Sequence, residues 1–153
     1  MANTFLQAHF HVVFGVRHRA AMIGVGWKDR LHQYLIGIFH HHGHRVLALN
    51  TMPDHLHVLF GYNVNELIPS LIQQVKRDST LWINEKRLAA GRFAWQEGYG
   101  GFAVCKDHIS PVISYIQNQE LHHRKQSFLD EYRSFLESEG ISYDPRYIFR
   151  EPE

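Results

Sequence analysis

The residues best suited to chemistry are His55-Leu56-His57. Residues two apart on a strand share a face, with Cα atoms about 6.5 to 7 Å apart, so two imidazoles at this spacing can grip one metal ion. Leu56, Val58 and Phe60 would then turn to the core, making the strand a rigid shelf that presents ligands on its open face. A chain with 13 histidines also produces such pairs by chance, and His9-Phe10-His11 has the same spacing. A second pairing is Tyr115 with Gln119, which at i and i+4 on a helix lie on one face and offer a nucleophile beside an amide. Tyr34 and Tyr132 are followed four residues later by Ile38 and Leu136, and read as core or interface. On spacing alone Tyr115 is equally compatible with packing, its hydroxyl at the surface. The tract His40-His41-His42-Gly43-His44 reads as a helix C-terminus, where histidines interact favourably with the dipole and Gly43 breaks the register, rather than as a second metal site.

The surrounding pattern supplies the elements that must hold these groups. Phe5 to Val16 alternates as a strand, with Ala8, Phe10, Val12 and Phe14 on a core face and His9 and His11 on a wet one. Trp27 to His42 carries Leu31, Leu35, Ile38 and Phe39 at helical spacing and ends at Gly43. Strands over Val46 to Thr51 and His55 to Tyr62 flank the turn signal Pro53-Asp54 and form a hairpin. A second helix is expected from Glu66 to Arg87, capped by Asn65, with Pro69 in its first turn and Leu67, Leu71, Val75, Trp82 and Ile83 on its buried side. Between Phe93 and Cys105, Gly98, Gly100 and Gly101 suggest two strand pieces around a bend. Ser110-Pro111 begins a third helix carrying Val112, Tyr115, Ile116 and Gln119. Ser127 to Asp130 resembles a capping box that opens a fourth helix ending near Gly140, and the aromatic tail beyond it can dock. This order is α+β, with an antiparallel sheet and helices mainly on one face.

Composition narrows the classes. At 153 residues, 44% hydrophobic and 20% charged, the chain is expected to form one domain spanning 1–153. A formal charge of +1 argues against coating nucleic acid by charge alone, so any DNA contact must be local. The lone Cys105 cannot form an internal disulfide, and Met1-Ala2-Asn3-Thr4 lacks the start of a signal peptide; a cytoplasmic setting with no membrane role is expected.

The run Met52-Pro53-Asp54-His55-Leu56-His57-Val58-Leu59-Phe60 resembles the His-hydrophobic-His block of the single-tyrosine HUH transposases that move small bacterial insertion sequences, with the REP-associated tyrosine transposases as close relatives. Lys76 to Asn84 resembles that family's basic second helix, and Trp95 to Gly100 the stretch before its last strand. Tyr115-Ile116-Gln117-Asn118-Gln119 resembles its nucleophile helix; His122-His123-Arg124 and Tyr143 to Tyr147 extend the likeness over almost the whole chain. Serine is commoner in the family where Ala103 and Cys105 stand. The resemblance implies a ferredoxin-like or RRM-like sheet with the tyrosine helix near its open face. It makes Tyr115 the nucleophile and His55, His57 and Gln119 the metal ligands, with Mg²⁺ or Mn²⁺ as cofactor, although two imidazoles and an amide would equally suit zinc.

The implied reaction is cleavage and rejoining of single-stranded DNA hairpins at element ends by a homodimer, through a 5′ phosphotyrosine, with no nucleotide cofactor. Tyrosine has a pKa near 10, so a metal or base must assist it at neutral pH. Candidate DNA contacts are Arg17, Arg19, Lys76, Arg77, Lys106, Arg124 and Lys125. Two other readings stay open: a domesticated hairpin-DNA nicking and joining enzyme, and a non-catalytic module binding single-stranded nucleic acid. The second gives no reason for Tyr115 and Gln119 to accompany the histidine pair.

Overall fold

Alternating apolar residues on three of the strands build the first layer. In the computed structural model, which describes residues 3–123 and 125–153, β1 (His9–Gly15), β2 (Arg45–Met52), β3 (His55–Gly61) and β4 (Gly100–Ala103) form an antiparallel sheet in the order β2-β3-β1-β4. The two central strands pair Phe10 with Phe60, Val12 with Val58 and Phe14 with Leu56. Cross-strand partners share a face, so these six side chains form one apolar floor. Against it pack α1 (Val25–His41), through Trp27, Leu31, Leu35 and Phe39, and α2 (Ile68–Lys86), through Leu71, Val75 and Ile83. Both ridges repeat every four residues, one helical turn. Ser79 interrupts the α2 ridge with a hydroxyl satisfied on two sides, donating to the Val75 carbonyl at 2.7 Å and accepting from Trp95 Nε1 at 3.0 Å. The β1-α1-β2-β3-α2-β4 order with β1 and β3 central is the expected ferredoxin-like α+β arrangement. Among the described residues, no helix is long and apolar enough to cross a membrane.

The opposite face is not wet. It is covered by α3 (Ile109–Gln117), α4 (Gln119–His123) and α5 (Phe128–Ser138), so that His11, Val13, His55 and His57 are all buried. Leu59 and Ala48 meet Ile116 of α3 there, and Asn50 Nδ2 donates to the Ile116 carbonyl at 2.9 Å. The covering helices are short and carry many polar residues, so no long apolar period announces them.

Several boundaries differ from expectation for local reasons. β1 starts at His9, because Phe5 and Leu6 are exposed and unpaired with the sheet. Leu67, exposed rather than buried, is the N-cap of α2 in extended conformation, and no side chain caps that end, so Asn65 does not serve. The glycine-rich stretch yields β4 and a single bridge between Val16 and Trp95 instead of two strand pieces. α3 begins at Ile109 directly after a 3-10 turn over Lys106–His108, which removes Ser110 from the cap position. It also ends before Gln119: Asn118 leaves helical geometry at φ −101° and ψ 26°, and Gln119 opens α4. Ser127 does cap α5, its side chain accepting from the Asp130 amide at 3.2 Å. The tail docks, with Phe149 against Phe128 and Tyr132, while Glu153 pairs through its backbone with Arg17 and Arg19.

Gly100 is where β4 meets α5. A Cβ there would lie 2.5 Å from Tyr132 Cε1 and 2.7 Å from its hydroxyl, and the buried Tyr132 ring is held by Phe128 and Phe149. Gly100→Ala is therefore expected to lower stability by about 1–3 kcal/mol through overpacking, read as a reduced urea midpoint with an unchanged slope.

Candidate metal centre and tyrosine nucleophile

β3 turns His55 and His57 to the face under α3–α5, and each ring is held from behind by its Nδ1. His55 Nδ1 donates to Asp54 Oδ1 at 2.7 Å, and the His55 ring stacks on Phe128 with centroids 4.1 Å apart. His57 Nδ1 lies 2.8 Å from His11 Nε2 on the neighbouring strand. Burial pushes His11 down to about 3, with further lowering from His57, so it is neutral at physiological pH. In the tautomer where His57 Nδ1 donates to His11 Nε2, both β3 imidazoles direct their Nε2 lone pairs forward. An acceptor behind each ring fixes tautomer and orientation, as in many metal sites.

Three other side chains converge on those nitrogens, with Tyr115 behind them. Gln119 Oε1 is 3.2 Å from His55 Nε2 and 3.0 Å from His123 Nε2. His123 Nδ1 donates to the Gln126 carbonyl at 2.8 Å, which turns its Nε2 inward too. Glu131 of α5 places Oε1 3.0 Å from His57 Nε2 and 3.1 Å from His123 Nε2. Its other oxygen, Oε2, accepts from Gln119 Nε2 at 3.2 Å and from the Tyr115 hydroxyl. Donor atoms of His55, His57, His123 and Glu131 all lie within 4.8 Å of one another. Oxygen and imidazole lone pairs that converge in a buried space repel unless a proton or a cation lies among them. The donor set therefore fits a divalent metal.

Electrostatics agree with geometry. Burial alone would raise the Glu131 carboxyl, but the adjoining His123, His55 and His57 rings outweigh it and hold Glu131 ionised, far below the usual carboxylate range. Burial pushes His57 down to about 4 despite Glu131. His55 is raised, its burial outweighed by Asp54 and Glu131. Tyr115 is pushed well above 10 by burial and by the adjoining Glu131 anion, so its phenol stays protonated in the metal-free fold.

The fold thus brings together His55, His57, Gln119 and Tyr115 as the sequence suggests. It adds His123, Glu131, Asp54 and His11, none of which the sequence reading assigned to the site. A signal for two of them was present. His123 continues the Tyr115 and Gln119 face by one more turn, and Glu131 interrupts the apolar face of α5 between Phe128 and Phe135. A carboxylate on a buried face requires a partner.

The proposed DNA contacts fall in different places. Arg17, Arg19, Arg77, Lys106 and Lys125 are exposed. Lys125 lines a surface hollow with Leu121, His122, Gln126 and Asp130, and His122 stacks on Tyr115 with centroids 4.4 Å apart. Lys76 is occupied internally: its ammonium donates to the Gln96 carbonyl at 2.8 Å and the Gly98 carbonyl at 2.5 Å over the Phe14 ring, and burial lowers it to about 8. Arg124 lies outside the described residues. The tract at the end of α1 holds structure together, with His42 and His44 donating to Glu66 at 2.9 and 2.8 Å.

Three imidazoles withdrawn wholly or partly from water set the response to acid. His11, His32 and His57 are lowered by burial to about 3, 4 and 4, whereas an unfolded histidine titrates near 6.5. The unfolded chain thus binds more protons below pH 6.5, and stability present above that value is lost as pH falls towards 4. Metal-free protein should lose melting temperature over this window with unfolding coupled to uptake of about three protons. A flat profile from pH 7 to 4.5 would contradict these burial states.

Comparison with known proteins identifies a family. Residues 4–119 match the family described as "Transposase IS200 like". The ISDra2 transposase TnpA of Deinococcus radiodurans is 24% identical over 118 residues, 74% of this chain and 84% of that protein. Two solved structures share the fold. One, described as a transposase of Deinococcus radiodurans R1, has a TM-score of 0.61 at 22% identity, over 78% of this chain and 95% of that one. The other, a REP-associated tyrosine transposase bound to a REP hairpin, has a TM-score of 0.60 at 14% identity, over 80% and 73%. With the family match running through the whole sheet to Gln119, the chain belongs to the IS200-like transposases.

Proposed function

We propose that the protein cleaves and rejoins single-stranded DNA, using Tyr115 as nucleophile and His55, His57 and Gln119 as ligands of Mg²⁺ or Mn²⁺. The observation that carries this reading is the contact between the Tyr115 hydroxyl and Glu131, whose other oxygen lies within 3.1 Å of two imidazoles of the cluster. A tyrosine hydroxyl is thereby held at the edge of a divalent-metal donor set. A bound cation would polarise the scissile phosphate and stabilise the departing 3′ oxygen.

The chain's own residues do the rest. α3 carries Tyr115 over the sheet, anchored by Ile116 and by the Asn50 bond to the Ile116 carbonyl, so the phenol oxygen has a defined position. Its attack in line on phosphorus forms a 5′ phosphotyrosine and releases a 3′ hydroxyl, conserving the bond energy for rejoining to another 3′ end. Phe135 packs its edge against Tyr115 and lies beside His11 and His57, shielding the back of the site from water. His122 and Lys125 flank the open side, where a phosphate chain and unpaired bases can lie. Arg17, Arg19, Arg77 and Lys106 remain surface candidates for more distant contacts, and Lys76 has a structural part.

The REP hairpin in the second structural neighbour supports hairpin DNA as substrate class. The working unit in this reading is one domain spanning 1–153, acting as a homodimer in the cytoplasm, as an insertion-sequence transposase or a domesticated relative of one.

The decisive experiment mixes purified protein with labelled single-stranded hairpin oligonucleotides from its genomic flanks and Mn²⁺ or Mg²⁺, and looks for a denaturation-resistant adduct. The adduct is expected with wild type, and should fall to background with Tyr115→Phe, with His57→Ala and on chelation. Persistence in Tyr115→Phe would remove Tyr115 as nucleophile. Tight DNA binding with no adduct would favour the non-catalytic binding module.

A further inference from the structure

We propose that Glu131 is a bridging carboxylate, ligating the divalent metal through Oε1 together with His55, His57 and His123 while its Oε2 holds the Tyr115 hydroxyl. The inference rests on the reading of this cluster as a metal centre beside a nucleophilic tyrosine. It adds two ligands that neither the His-x-His block nor the Tyr115-Gln119 pair contains. Both stand past residue 119, beyond the stretch that matches the family.

Three observations carry it. Oε1 lies 3.0, 3.1 and 3.5 Å from the Nε2 atoms of His57, His123 and His55. Metal-to-ligand bonds of about 2.0–2.1 Å put adjacent donor atoms about 2.9 Å apart in an octahedral shell and about 3.3–3.4 Å apart in a tetrahedral one, close to these separations. The tautomers are also constrained: Asp54 and the Gln126 carbonyl can only accept, so His55 and His123 carry their proton on Nδ1 when neutral. Their Nε2 atoms then converge on the Glu131 oxygen around the space that a bound cation would occupy. Finally, the two carboxylate oxygens have separate partners. Oε1 meets only imidazole nitrogens, whereas Oε2 meets the Tyr115 hydroxyl and the Gln119 amide nitrogen.

The consequence is a shell of different charge and softness from two histidines and an amide. Three imidazoles favour a transition metal over Mg²⁺, and the carboxylate contributes the only negative charge. Through its second oxygen the same residue positions the nucleophile relative to the metal.

The test uses the full chain stripped of metal and titrated with Co²⁺, whose visible absorption reports coordination and whose binding is followed in parallel by calorimetry. Glu131→Gln keeps the size of the side chain and removes its charge. Glu137→Gln, an exposed change on the same helix, controls for helix charge. Glu131→Gln is expected to weaken Co²⁺ binding at least about tenfold and to change the visible spectrum, with Glu137→Gln matching wild type. A folded Glu131→Gln protein with wild-type affinity and spectrum would overturn the proposal. Should that variant not fold, a crystal structure of Mn²⁺-loaded wild type decides: Glu131 Oε1 in the inner shell supports the bridge, and a water molecule in its place overturns it. Glu131-dependent Co²⁺ binding without a tyrosine adduct would keep this inference and remove the nucleophile reading. Adduct formation with Glu131-independent metal binding would do the reverse.

Discussion

A buried negative charge ringed by imidazoles organises this molecule. Glu131 is almost fully enclosed, and a carboxylate removed from water is tolerable only where donors or cations surround it. Those partners come from β3 and α4, while the carboxylate itself comes from α5, so the cluster ties the covering helices to the sheet beneath them. Phe128 and Phe135 flank Glu131 along α5, one stacked on His55 and the other packed near His11, His57 and Tyr115. The apolar contacts seal the charged ones, and the charged ones set the register of the apolar contacts. The same geometry that keeps water out lowers the local dielectric and strengthens every electrostatic interaction inside.

The sheet follows from short-range rules that a reader of the chain can apply directly. Alternation in β1 and β3, the Pro53-Asp54 turn and the four-residue ridges of α1 and α2 are local signals, and each produced the element it announced within a few residues. The His55 and His57 face was legible for the same reason, since the period of a strand is rigid. What was hidden depended on interactions distant in sequence. The face of β1 bearing His9 and His11 reads as solvated, because nothing nearby reveals that α3–α5 will return 100 residues later to cover it. The interruption at Asn118 was equally obscure: an i, i+4 pair looks continuous in sequence, although Tyr115 and Gln119 stand on successive short helices. They still meet, because Gln119 Nε2 donates back to the Tyr115 carbonyl at 3.3 Å and bridges the break.

The surface charges were the least legible part. Lys76 and Arg77 are neighbours in a basic run, yet one ammonium fastens the loop at Gln96 and Gly98 while the other side chain is exposed. A lysine stem long enough to cross a ring and find two carbonyls is a tertiary event with no local pattern. His11 was noticed only as half of a rival pair to His55 and His57. Its place behind His57 follows from the β1–β3 register, which only the paired sheet defines.

The split between the matched stretch ending at Gln119 and the helix that completes the cluster bears on how such a site can diversify. The sheet with its two histidines and the tyrosine helix fall within the family match, whereas the wall bearing Glu131 lies outside it. Replacing or repacking α5 would alter the charge of the donor set and release the Tyr115 hydroxyl, while the histidine pair would stay on β3. In a relative that carries an uncharged residue at the Glu131 position, the same histidine pair would face a donor set of different charge.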